Sequence, residues 1–97
     1  MSKAERVKNI KMNNKSFEMV VETIRDLARE NQLPKRLTDK ELHPSTFLED
    51  LGMDSLGQLN LLSELEERVD DTFSESAISG IDTLEDLAEI VTRSREK

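Results

Sequence analysis

The 97-residue sequence predicts an all-α fold: a small bundle of three main helices plus one short helix, with a long loop between the first two. Three observations predict it. Aromatic residues are nearly absent (three Phe, no Trp or Tyr) and Gly and Pro together number five, which suits helices built on Leu, Val and Ile better than short strands. Apolar residues recur on a 3.6-residue period in three separate segments. Between the first two segments the pattern is broken by Pro34 and Pro44 and by the turn formers Thr38, Asp39, Ser45 and Thr46. A chain of this length holds one domain with a modest core.

Residues 1–14 read as a flexible basic leader, and residues 15–97 as the bundle. An extension of the first helix is the other reading of the leader, in which Val7, Ile10 and Met12 alone face a core. The first helix is predicted over 16–31. Phe17, Val20, Val21, Ile24, Leu27 and Ala28 form one stripe there, and Ser16 or Asn14 is the expected cap. Residues 32–53 form the long loop. Thr38 is expected to start a short helical turn, and Phe47, Leu48 and Leu51 to pin the end of the loop to the core. A structureless loop of that length in a small domain points to a job for it. The second helix spans 55–70, with Leu56, Leu59, Leu62 and Val69 facing inward and Leu61 and Leu65 broadening the stripe. A short turn over 75–79 carries Ala77 and Ile78. The last helix covers 83–94, with Leu84, Leu87, Ala88 and Val91 buried and Thr83 and Asp86 forming a capping box.

Composition removes several function classes. The chain has no Cys, which excludes disulfides, thiolate metal sites and a cysteine nucleophile. No apolar run approaches the length of a membrane span, and the N-terminus has charge without the apolar stretch of a secretory signal, so a cytoplasmic protein is expected. The net charge of −7 is unevenly spread. Residues 1–15 hold five bases against Glu5, whereas residues 41–90 hold fourteen carboxylates against Arg68 alone. Such a block repels nucleic acid and anionic membrane and attracts basic protein surfaces. In the bland reading it is a solvated face.

The segment "LEDLGMDSLGQL" at 48–59 places Ser55 where loop becomes helix. A serine nucleophile needs a base beside it and a group to orient that base. His43 is the sole histidine and stands twelve residues away in a His-Pro turn, and the G-x-S-x-G elbow fails because Met53 replaces the first Gly. Glu49, Asp50 and Asp54 lack the alternating pattern of a calcium loop, so no metal site and no catalytic residue is predicted. As plain structure, Asp54 is an N-cap and Ser55 the first helical residue. The same position leaves the hydroxyl at the electropositive end of a helix, where a phosphodiester is well placed. Gly52 would let a modifying enzyme approach the backbone, and Leu56 would anchor the helix just below.

The stretch "LEDLGMDSLGQLNLLSELEERV" resembles the attachment region of an acyl carrier protein, through G-x-D-S-L at Gly52, Asp54, Ser55 and Leu56. The resemblance covers roughly residues 16–93. It implies that a phosphopantetheinyl transferase attaches 4′-phosphopantetheine from coenzyme A to Ser55, and that the arm brings the sulfur the chain lacks. The protein would then tether acyl groups and activate nothing itself. By the same resemblance Asp54, Glu64, Glu66 and Glu67, with Asp70 and Asp71 beyond, dock on basic patches of partner enzymes. Those partners are acyl-loading enzymes, ketosynthases, reductases or acyltransferases. The resemblance also implies that the lining between helices admits an acyl chain, with Leu59, Leu62, Ile78 and Leu84 as the candidates; as plain structure these four pack the core, and a monomer is expected. Gly57 and Asn60 stand where many fatty-acid carriers have acids, and the leader and "LPKRLTDK" are further departures. They point as much to a specialised lipid or polyketide pathway as to fatty-acid synthesis. A peptidyl or aminoacyl carrier and an unmodified helical interaction module remain the other readings.

Overall fold

Apolar periodicity becomes four helices in the computed structural model, which describes residues 14–95. They are α1 (Asn14–Arg29), α2 (Ser55–Val69), α3 (Glu75–Ser79) and α4 (Leu84–Arg95). Single 3₁₀ turns at Lys35–Thr38 and Leu48–Leu51 punctuate the long first loop. The leader lies outside the described residues except for Asn14, the first residue of α1.

α1 lies at the centre, packed on α4, on the Lys35–Thr38 turn and on α2, and α2 in turn meets α4. Its inward line is Val20, Ile24, Leu27 and Ala28, with Phe17 and Val21 half-buried beside it. Neither expected cap stands outside the helix: Asn14 and Ser16 are both helical, and Ser16 is buried because it falls four residues before Val20 on the inward line. The helix ends at Arg29, two residues earlier than periodicity implies, because Asn31 turns left-handed at φ 66°. The amide of Gln32 then donates to the carbonyl of Leu27 at 2.9 Å, which satisfies a carbonyl that the helix end would leave open. Asp70, at φ 57°, closes α2 in the same way.

The loop contributes more core than its polar composition suggests. Leu33, Leu37, Leu42, Leu48 and Leu51 are all buried. Phe47 is not the pin expected of it and remains 48% exposed. Its backbone does the pinning, through an isolated antiparallel bridge to Thr83. The amide of Leu48 donates to the carbonyl of Asp82 at 2.8 Å, and the amides of Leu84 and Glu85 donate to the carbonyls of Thr46 (3.0 Å) and Pro44 (2.9 Å). This clasp joins the end of the loop to the start of α4. The expected helical turn at Thr38 is present, but Thr38 ends it rather than starts it.

α4 begins with the predicted capping box. The Asp86 amide donates to Thr83 Oγ1 at 3.3 Å, and Asp86 Oδ2 accepts from the amides of Thr83 (3.0 Å) and Asp82 (2.8 Å). Leu84, Leu87, Ala88 and Val91 are completely buried, as their spacing predicts. Two buried hydroxyls bond back to their own helices, Thr23 to the carbonyl of Met19 and Thr92 to that of Ala88.

The inward face of α2 is Gly57, Leu61, Leu62 and Leu65, with Val69 half-buried. Leu56 and Leu59, expected on that face, are 65% and 60% exposed. The cause is helical phase. Gly57, Leu61 and Leu65 repeat every four residues and set the buried direction, and at about 100° per residue Leu56 and Leu59 project well away from it. Arg68 supports the same phase. Its guanidinium donates to Asp26 of α1 at 2.9 Å and to Glu64 at 3.1 Å. Partial burial alone would lower the pKa of Arg68, but the hydrogen bonds to Asp26 and Glu64 and the attraction of their charges together outweigh it and raise that pKa.

Candidate functional site

The site is assembled where the 48–51 turn passes into α2. Gly52 closes the turn in the left-handed conformation, at φ 77°, which glycine adopts without strain. Asp54 is extended and caps α2, its Oδ1 accepting from the amide of Gly57 at 2.7 Å. Ser55 is therefore the first residue of a 15-residue helix, and it is exposed. With Gly57 bonded to Asp54, the amides of Ser55 and Leu56 remain without intrahelical partners, in the region where the helix dipole favours negative charge. An exposed primary hydroxyl in that position fits esterification by a phosphate. Leu56 does not anchor the helix from below; it stands on the surface beside the hydroxyl. The anchor is Gly57, where an added Cβ would lie 3.0 Å from Leu33 Cδ2 and 3.3 Å from Asp54 Oδ1.

The expected docking acids divide into two groups. Glu64 is held by Arg68, and Glu66 Oε2 accepts from the backbone amide of Phe73 at 2.8 Å, bracing the α2–α3 connection. Glu67 is exposed, in line with Leu56, Asn60 and Ser63 along the outer face. Asp54 is exposed but committed to its cap, and Asp70 forms the left-handed end of the helix. Gly57 is buried, so an acid there would face Leu33 rather than extend the docking face.

Of the expected acyl-lining set, three residues share the apolar cluster and one lies outside it. Leu62 and Leu84 are core, Ile78 is half-buried, and Leu59 points outward for the phase reason above. A groove of about 410 Å³ lies where the loop, α2 and the α3–α4 connection meet. Phe47, Met53 and Ile81 give it apolar wall, and Glu49, Gln58 and Asp82 give it polar rim. Met53 and Gln58 stand two residues before and three after Ser55, so the groove opens on the flank of the site. Sequence reasoning missed Phe47, Met53, Gln58 and Ile81. The one local signal was Gln58, one turn beyond Ser55 on the same helical face. Among the described residues no cluster of His, Cys, Asp or Glu is placed to hold a metal, and no helix is long and apolar enough to cross a membrane.

Among the described residues, then, a bundle of four helices presents an exposed serine at the capped start of its second helix, beside a groove. Residues 33–91 match the family described as the phosphopantetheine attachment site. Acyl carrier proteins from three Clostridium perfringens strains (SM101, ATCC 13124 and 13) are each 32% identical to the chain over 81 residues, covering 84% of it and 99% of each relative. No solved structure matches the chain. The chain thus belongs to the phosphopantetheine-binding acyl carrier family, whose prosthetic group is 4′-phosphopantetheine. That group supplies a thiol for thioester formation, which a chain without Cys lacks.

Proposed function

We propose that Ser55 is the residue that carries the arm, and that the chain tethers acyl intermediates as thioesters for fatty-acid or specialised lipid and polyketide synthesis. One observation carries the assignment. Within the matched region, Ser55 is exposed at the first position of α2, directly after a left-handed glycine turn and a capping aspartate. Incubation with coenzyme A and a broad phosphopantetheinyl transferase is expected to add one phosphopantetheine to the intact mass, and Ser55→Ala is expected to abolish the gain. An unchanged mass for the unsubstituted chain would instead favour an unmodified interaction module.

Partner enzymes would meet the outer face of α2. Leu56 and Leu59 supply an exposed apolar centre there, and Glu67 and Asp54 a negative margin, which suits an apolar depression ringed by Lys and Arg. The flanking groove would hold the first part of the cargo. A second reading, an aminoacyl carrier, is favoured by its rim: Glu49 and Asp82 form no ion pair among the described residues, and an amino group would complement them. Thioester loading of the holo-protein with matched acyl and aminoacyl groups, followed by hydrolysis rates with and without Glu49→Gln, separates the two. Protection of the aminoacyl form that is lost in the variant supports the second reading.

A further inference from the structure

The segment Leu33–Lys40 is unused by the carrier reading above, yet it reaches the attachment turn. Its 3₁₀ turn packs on α1 through Leu37, which is completely buried. The far end is tied to α1 by Arg25, whose guanidinium donates to the carbonyls of Thr38 (2.8 Å) and Lys40 (3.4 Å). From this platform Arg36 extends across fifteen positions of sequence, and its Nη2 donates to the carbonyl of Leu51 at 2.9 Å. That carbonyl ends the 48–51 turn and precedes Gly52. A Cβ on Gly52 would collide with the same guanidinium. Arg36 therefore holds the Leu51–Gly52 peptide in two ways, by a hydrogen bond on one side and by close contact over the glycine. Among the described residues Arg36 forms no ion pair, so its grip is on backbone.

We propose that Arg36 is a positioning residue for attachment of the arm. It selects the left-handed conformation of Gly52 from the several that glycine can adopt, and so fixes how Met53, Asp54 and Ser55 are presented to the transferase. This rests on attachment at Ser55. Without Arg36 the Leu51 carbonyl is free to bond water, so the bundle loses little. The turn gains conformations, and only the fraction in the right one binds the transferase productively. The defect therefore appears in KM for the carrier rather than in kcat. Arginine suits the role because its flat group can both donate and cover, whereas a lysine ammonium can only donate.

The test uses the full chain with coenzyme A and a phosphopantetheinyl transferase. Arg36→Ala is expected to raise KM about 3- to 10-fold, the range set by one net hydrogen bond, with kcat within about two-fold and the thermal midpoint lowered by no more than about 10 °C. Arg36→Lys is expected to recover part of the loss. Unchanged KM overturns the proposal. So does a fall in kcat that tracks a large drop in thermal midpoint, which marks a structural role. A double-mutant cycle with Gly52→Ala gives a readout free of the transferase. Alanine at 52 should cost less stability to urea when Arg36 is already Ala, because the new methyl then displaces no guanidinium from the Leu51 carbonyl and only backbone strain remains. Gly52→Asn, which tolerates a left-handed backbone, replaces Ala if that variant does not fold. Additive effects overturn the proposal. Failure of the unsubstituted chain to accept the arm overturns the Ser55 assignment and this inference with it, whereas normal modification with unchanged KM overturns this inference alone.

Discussion

A single missing side chain decides how α2 sits. Gly57 lies against Leu33 and the Asp54 cap, and that close approach directs Leu61 and Leu65 inward and Leu56 and Leu59 outward. In an open helix, Gly57→Ala would add about 1 kcal/mol of stability. Here the new methyl meets a buried leucine and the capping oxygen, so the variant is expected to gain none of it, read as a urea midpoint no higher than that of the unsubstituted chain. Leu56→Ala should change stability by less than about 0.5 kcal/mol, since the side chain is mostly in water. The same change is expected to weaken turnover by partner enzymes, measured as a rise in KM for the holo-carrier. A stability loss of 2 kcal/mol or more, the size of ~a buried leucine truncation, would place Leu56 in the core instead.

At the scale of the element, legibility depended on whether the signal was local. The stripe of α1 and the Thr83–Asp86 box could be read from spacing alone, because each is complete within one helix. Thr83→Ala is accordingly expected to cost about 1 kcal/mol in urea unfolding, the typical value of a lost N-cap. α2 was less legible. Leu occurs at 56, 59, 61, 62 and 65, which leaves apolar residues on most of its circumference, and periodicity alone does not choose the inner side. The choice is made by Leu33 and by Asp26, both outside the helix. The loop leucines at 33, 37 and 42 were hidden for a similar reason: no period marks them, and their burial depends on α1 being there to receive them. At the candidate site, Asp54 as the cap and Ser55 as the first helical residue were legible because a cap is a local device. The groove was not, since Phe47, Met53, Gln58 and Ile81 meet only once the chain has folded.

For the whole molecule, stability rests on one apolar cluster shared by α1, α2, α4 and the loop. Leu65→Ala, at a completely buried position, is expected to cost about 2–5 kcal/mol, a large part of what a domain of this size has to lose, and to show as a marked drop in thermal midpoint. The surface follows another rule. With fourteen carboxylates against one base over residues 41–90, association with basic partners should slow as salt rises from about 0.05 to 0.5 M, because the screening length falls well below the reach of exposed charges. Association rates that do not vary with salt would argue that the apolar pair on α2 acts alone.

The clasp between Pro44–Leu48 and Asp82–Glu85 makes a noose of the chain: it ties off the segment from Glu49 to Ile81, within which α2 is also packed on α1 and α4. α3, inside the noose, has no fully buried residue, while α1 and α4 are held against each other outside it. Loosening the contents need not untie the knot. Hydrogen–deuterium exchange should show this as two regimes, with the amides of Leu48, Leu84 and Glu85 exchanging only through global unfolding, and those of Ala77 and Ile78 through a smaller opening. Such an arrangement would let α3 open locally while the register of the clasp is kept.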